Sequence, residues 1–202
     1  MLDSRNPLMG EDALRDPKML GLRVVRWSGW LGEGTFVRDP ATWSPGGWKE
    51  FERACVRMGK DAGDARVIIR PHARHVLSDP QRSLTFLRAH ERRLGLLLDP
   101  FAMLESTMLA RVDEHLERAM DALIEHPGVE GVVACNVIER ETQDGVSLVP
   151  TPIERGLVAS DLILKMVRRV PPHMPIVLLD EAFESDAALL DGVGRAGDER
   201  DS

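Results

Sequence analysis

Five apolar runs in this 202-residue chain end in side chains of the kinds that do chemistry. Arg26 and Ser28 follow the first, Arg70 and His72 the second, and Asp99 the third. Asn136 and Glu139 follow the fourth, and Asp180 and Glu181 the fifth. Carboxylates and an imidazole gathered in one place can bind a divalent cation, polarise a carbonyl or move a proton. An arginine among them can hold a phosphate or a carboxylate. Asp99 is the sharpest case, because Leu94 to Leu98 is almost wholly apolar and the chain then turns through Asp99 and Pro100. Polar residues also mark where any chain leaves its core, so each of these residues has an ordinary structural reading beside the chemical one.

The elements that must position them are legible from periodicity. Strands are expected at Gly21–Trp27, Ala65–Arg70, Leu94–Leu98, Val129–Cys135 and Pro175–Asp180, rich in β-branched or aliphatic residues. Trp48, Phe51, Cys55 and Met58 recur at helical spacing, which predicts a helix from Gly47 to Lys60. Ser78-Asp79-Pro80 opens a second helix that runs to Arg92, and Val112, Leu116, Met120 and Leu123 share one face of a third, from Ala110 to His126. Ser160 is expected to cap a fourth, which Pro171-Pro172 ends, and a short helical turn is expected at Ala187 to Leu190. Two long polar stretches read as loops. Ser28–Gly47 carries Trp30 and Trp43, and Asn136–Arg155 carries the turn signal Asp144-Gly145. One helix between each pair of strands implies a parallel sheet with right-handed crossovers, either doubly wound or most of a (β/α)8 barrel. In both, the polar strand ends converge on one face.

The tryptophans suit plugs for the mouth of such a barrel or an aromatic wall for a sugar ring. His75, His90, His115, His126 and His173 read as surface residues. The formal net charge of −7, with no basic stripe, argues against a nucleic-acid partner. Cys55 and Cys135 are too far apart for a metal motif and point to a reducing compartment. No apolar run approaches the ~20 residues of a membrane span, and Met1–Pro7 lacks the core of a signal peptide, so a cytoplasmic protein without membrane contact is expected. Ile176–Ala182 looks like the Walker B strand of ATPases, but no Gly-x-x-x-x-Gly-Lys-Ser/Thr loop precedes it. The expected organisation is an N-terminal arm over 1–20 with a short helix at Glu11–Arg15, a domain over 21–190, and a disordered acidic tail over 191–202.

In order, spacing and hydrophobic pattern, residues 18 to 190 resemble the xylose isomerase-like TIM barrels, the sugar phosphate isomerase/epimerase superfamily. The family's fifth strand, apolar-Glu-Asn-His, is matched by Val67-Ile68-Ile69-Arg70-Pro71-His72. Its sixth, Gly-apolar-apolar-apolar-Asp, is matched by Gly95-Leu96-Leu97-Leu98-Asp99. Its seventh is matched by Ala134-Cys135-Asn136-Val137-Ile138-Glu139, and the eighth ends at Asp180. The resemblance implies a partial (β/α)8 TIM barrel: the C-terminal five βα units, five parallel strands with helices outside. Five strands cannot close such a barrel. The chain is then a fragment of a longer product, or an open barrel whose exposed edge at Leu22–Trp27 favours a homo-oligomer or a partner that completes it.

The resemblance implies an isomerase or epimerase acting on a small carbohydrate or polyol, with Asp99 and Asp180 as catalytic carboxylates. Arg26, Arg70, His72, Asn136 and Glu139 would bind substrate. Metal-dependent members hold one divalent cation with Glu, Asp, His and Glu at positions that here read Arg70, Asp99, Asn136 and Asp180, and a further family histidine is replaced by Ala102. Arg70 is a permanent cation where a ligand belongs. A second expectation therefore stands beside the first: a non-catalytic binding or assembly protein on the same scaffold, with Arg70 paired to Asp99 or Asp180 in the metal's place.

Overall fold

Strands form where aliphatic residues run together, and amphipathic helices return the chain between them. The computed structural model describes residues 2, 3, 6–9, 23–62, 65–142, 145–191 and 193. The helix expected at Glu11–Arg15, the strand start at Gly21 and Leu22, the turn residue Asp144 and the acidic tail at 194–202 lie outside these residues.

In chain order the elements are β1 (Leu2–Asp3), β2 (Arg23–Trp27), α1 (Pro45–Asp61), β3 (Arg66–Arg70), α2 (Pro80–His90) and β4 (Leu94–Leu98). They continue with α3 (Val112–Leu123), β5 (Val129–Val133), β6 (Asn136–Thr142), β7 (Gly145–Thr151), α4 (Ser160–Arg168), β8 (Ile176–Val177) and α5 (Phe183–Asp191). Among the described residues one sheet has the order β1-β2-β3-β4-β5-β8, parallel throughout. A doubly wound sheet reverses its strand order at a switch point. This one never does, so it is wound in one direction as a barrel is, and the fold is a partial (β/α)8 barrel. No helix among the described residues is long and apolar enough to cross a membrane.

Alternation divides the strands between two faces. Val24, Val67, Ile69, Leu94, Leu96 and Leu98 are fully buried in one core with Phe51 and Met58 of α1, Phe86 and Leu87 of α2, and Leu123 of α3. Burying each such large side chain contributes roughly 1.5–3 kcal/mol. The other face carries Arg23, Val25 and Trp27 of β2 in register with Arg66, Ile68 and Arg70 of β3. Helix starts follow their caps. Ser44 Oγ accepts from Gly47 N at 3.1 Å ahead of α1, and Asp79 accepts from Arg82 N at 2.9 Å ahead of α2, with Pro80 in its first turn.

Five expectations change, beginning with the last strand, which was expected over Pro175–Asp180 and is only Ile176–Val177. The first residues are not a loose arm throughout: Leu2 pairs with Val25 and Asp3 with Arg26, so β1 covers part of the β2 edge that the sequence leaves open. Buried Asn6 fastens this segment, donating to Trp30 O at 2.8 Å and accepting from Leu8 N and Trp30 N. The stretch Asn136–Arg155 holds the antiparallel hairpin β6–β7, masked in sequence by the charged run Glu139-Arg140-Glu141. Ser160 is the first residue of α4 and not its cap, and its hydroxyl donates to Ile153 O at 3.2 Å. The C-terminal helix is longer than one turn, running from Phe183 to Asp191.

Candidate functional site

Arg70 is the last residue of β3, and Asp99 directly follows β4, the next parallel strand. Adjacent parallel strands bring their ends side by side. Arg70 Nε and Nη2 both donate to Asp99 Oδ2, at 2.8 and 2.5 Å, and Ala102 N donates to Oδ1 at 2.9 Å. Asp99 is fully buried, while the Arg70 side chain keeps 12% of its exposure. Both carboxylate oxygens are thereby satisfied by charge-assisted or backbone bonds. The Arg70 guanidinium carbon lies 4.6 Å from the ring centroid of Trp27, its register partner on β2, a cation–π contact.

The four positions at which the sequence resemblance implies a metal do not fit a divalent cation. Arg70 occupies the outer oxygen of Asp99. Asn136 spends its amide on the backbone: Nδ2 donates to Ile153 O and Val158 O, both at 2.7 Å, while Oδ1 accepts from Val137 N and Val158 N. Gly156 leaves room for that amide, since a Cβ there would collide with it. Asp180 is exposed at the start of a single 3-10 turn. Among the described residues no three His, Cys, Asp or Glu side chains gather as a metal site would require.

A cavity of about 300 Å³ opens beside the ion pair, between the strand ends and the hairpin. Trp27, Phe36, Phe101 and Leu104 line one side, and Val137, Leu148, Val149 and Pro150 the hairpin side. Of the residues expected in a site, Arg70 and His72 line this cavity, and Asp99 sits behind Arg70. The others do not line it. Arg26 is fully buried and alternates with Trp27, which directs it to the opposite face of the sheet. Asn136 is a bracket for the 153–158 segment, Asp180 lies outside the lining, and Glu139 is exposed on β6 opposite Leu148.

Two residues at this mouth escape sequence reasoning. His75, read as a surface residue, is fully buried. It stacks on Trp30 with ring centroids 5.0 Å apart and meets Trp27 edge-on at 5.3 Å, while its Nε2 lies 2.6 Å from Thr35 O. Burial pushes its pKa down to about 4; the Thr35 carbonyl opposes this and the Arg70 charge adds to it. Arg74 is 3% exposed and donates to Phe36 O at 2.6 Å and Val146 O at 2.8 Å, tying the tryptophan loop to the hairpin across the cavity. The only signal for either was the density of cationic and imidazole groups in Arg70-Pro71-His72-Ala73-Arg74-His75.

His72 is half-buried and packs edge-on to Trp27 at 5.6 Å. Burial holds its pKa well below the usual histidine value, helped by the charges of His75, Arg70 and Arg74. Its Nδ1 accepts from Arg74 N at 3.1 Å, so the neutral ring carries its proton on Nε2. At this mouth His72 is therefore a hydrogen-bond donor and not a base.

No family model matches the chain, and no curated protein matches it. Among solved structures, a xylose isomerase-like TIM barrel protein from Mycobacterium smegmatis in complex with magnesium is similar at 14% identity, with a TM-score of 0.45. The match covers 78% of this chain and 54% of that one, so the chain spans about half the length of the protein it resembles.

Proposed function

We propose that this chain is a metal-independent small-molecule-binding protein built on an isomerase-type half-barrel. The observation that carries this reading is the buried Arg70–Asp99 pair, stacked on Trp27 at the edge of a cavity of about 300 Å³. Ligand cavities of that size are apolar hollows with a few fixed polar groups, and they form at the C-terminal ends of parallel strands. The test is thermal unfolding of the purified chain with Mg²⁺, Mn²⁺, Co²⁺ or Zn²⁺ and with a panel of small organic molecules. Organic ligands are expected to raise the melting temperature and the metals to leave it unchanged. Stabilisation of the unaltered protein by a metal at this mouth would defeat the reading.

The finer reading, an isomerase or epimerase of a small carbohydrate or polyol, draws support from the aromatic walls and from the His72 Nε2–H, which can orient a carbonyl or hydroxyl. It requires Asp99 to give up its arginine before it can take a proton. Incubating aldoses and ketoses with the protein in deuterium oxide tests it directly. Deuterium incorporated at carbon, and lost in Asp99→Asn, would establish it; no incorporation leaves binding as the function.

A further inference from the structure

The polar atoms lining the cavity are mostly already engaged, and those left over share one property. Arg70 is held by Asp99, and Arg74 by two carbonyls. Glu105, the acidic residue of the lining, faces Arg38 at 2.9 Å and Arg74 at 3.6 Å. Among the described residues four groups remain, and each can donate: the Nε2–H of His72, the indole N–H of Trp27, the Arg140 guanidinium and the Ser147 hydroxyl. Ser147 is 6% exposed, yet its Oγ has no hydrogen-bond partner among the described residues. A buried hydroxyl left without a partner costs free energy, and such a group in a cavity wall is satisfied when something else supplies the acceptor. Arg140 stands directly opposite Ser147 in the β6–β7 ladder. Residues so paired have Cβ atoms about 5 Å apart on one face, so both can reach one carboxylate, the arginine by two parallel bonds.

From this we infer that the cavity takes a small organic acid: an apolar ring or short chain packed between Phe101 and Leu148, with its carboxylate held by Arg140 and Ser147. The inference rests on the proposal that this cavity binds a small molecule, and adds the ligand's chemical class. Arg70, Arg74 and Glu105 of the lining are already paired, which leaves no partner for a second charge on the ligand, and the surplus of donors disfavours a cationic one.

The test is calorimetric and thermal-shift titration of the full chain with phenylacetate and hexanoate, set against phenylacetamide and xylose. The acids are expected to bind, with phenylacetamide at least tenfold weaker than phenylacetate. Arg140→Gln is expected to weaken phenylacetate about tenfold, and Ser147→Ala about threefold, with phenylacetamide unchanged in both. Arg140 is exposed on the hairpin, so its replacement leaves the core intact. Equal binding of acid and amide, or acid binding indifferent to Arg140→Gln, would overturn the assignment of an anion while leaving a binding cavity. Failure of the acids, the amide and xylose alike would overturn the binding function as well.

Discussion

The two ends of the same strands carry the same chemistry in different surroundings. At the C-terminal end Arg70 of β3 holds Asp99 after β4. At the N-terminal end Arg66 of β3 holds Glu130 of β5, and Arg23 of β2 reaches the other Glu130 oxygen at 3.9 Å. Arg66 and Arg70 lie on the same face of one strand, about 13 Å apart. The upper pair is 12% and 1% exposed, the lower 32% and 14%, with Arg23 at 63%. The lower end also opens on a larger groove, about 570 Å³, between Pro127, Pro171 and Pro175. Its size does not make it the better site. Arg23 and Glu130 there are partly exposed and paired with each other, whereas the mouth combines a dry ion pair, an aromatic cluster and a buried hydroxyl without a partner among the described residues.

That contrast is broken most severely at Asp99. In Asp99→Ala the Arg70 cation stays in a largely dry site with the Trp27 face as its main remaining contact. Removing one partner of a buried pair costs about 3–5 kcal/mol. Chemical denaturation should show that loss, and the double variant Arg70→Met with Asp99→Leu should recover most of it, because two apolar groups leave no charge uncompensated. A loss under 1 kcal/mol, within the ordinary range of exposed pairs, would mean that solvent reaches the upper pair as freely as the lower.

Acid should separate the two ends next. Above the unfolded histidine value near 6.5, His75 is neutral in both folded and unfolded states, and its burial has no pH-dependent cost. Below it the unfolded chain takes up a proton that folded His75, at about 4, does not. Stability is thus full above pH 6.5 and falls as pH drops toward 4, by about 3 kcal/mol over the window. His72 is shifted in the same direction and steepens the fall. Denaturation curves between pH 7.5 and 4.5 should show this slope, reduced in His75→Gln. Amide exchange should accelerate at 70–77 before 129–133. A flat profile across that range would refute the buried neutral pair.

The order of strands, the helix between each pair and the convergence of Arg70, His72 and Asp99 could all be read from hydrophobic periodicity. The Arg70 pairing was legible only in part: the family resemblance left Asp99 and Asp180 both open as its carboxylate, and the partner found is Asp99. The hairpin was not legible. Its strands are short, and Glu139, Arg140 and Glu141 hide the alternation of a two-stranded ribbon with one side in water. His75 and Arg74 were illegible for a different reason: their partners are far away in sequence, Thr35 and Phe36 in the tryptophan loop and Val146 on β7, and local pattern carries no information about such packing. Arg26 and Asn136 show the reverse error. Each is polar and near a strand end, yet one faces away from the cavity and the other braces a loop.

Gly95 probes the floor of the lower end. It sits in register with Ile68, and a Cβ there would run into the Glu130 carboxylate. An extra residue, Glu130 itself, interrupts the β4–β5 register at this level and turns its side chain beside Gly95. Gly95→Ala should therefore cost about 1–3 kcal/mol as an overpacked site. Combining it with Glu130→Ala should restore much of the loss, because the two changes share one contact. If the two losses simply add in urea denaturation, Glu130 does not occupy the space that Gly95 leaves.

The smallest effect is expected from the lower pair alone. Glu130→Gln keeps the shape and a hydrogen-bond acceptor for Arg66, whose Nη2 still donates to Glu91 O at 3.0 Å. A third of the Arg66 side chain meets solvent, so water takes over what the carboxylate gave up. The expected loss is about 1 kcal/mol or less, and it should shrink as salt is raised, because a half-exposed pair is screened. The same substitution at the mouth, Asp99→Asn, should cost more and respond little to salt, since no ions reach a carboxylate with no exposed surface. Equal losses with equal salt dependence would erase the distinction between the two ends. A salt-sensitive loss at Glu130 beside a salt-insensitive one at Asp99 would assign the difference to burial and not to the identity of the charges.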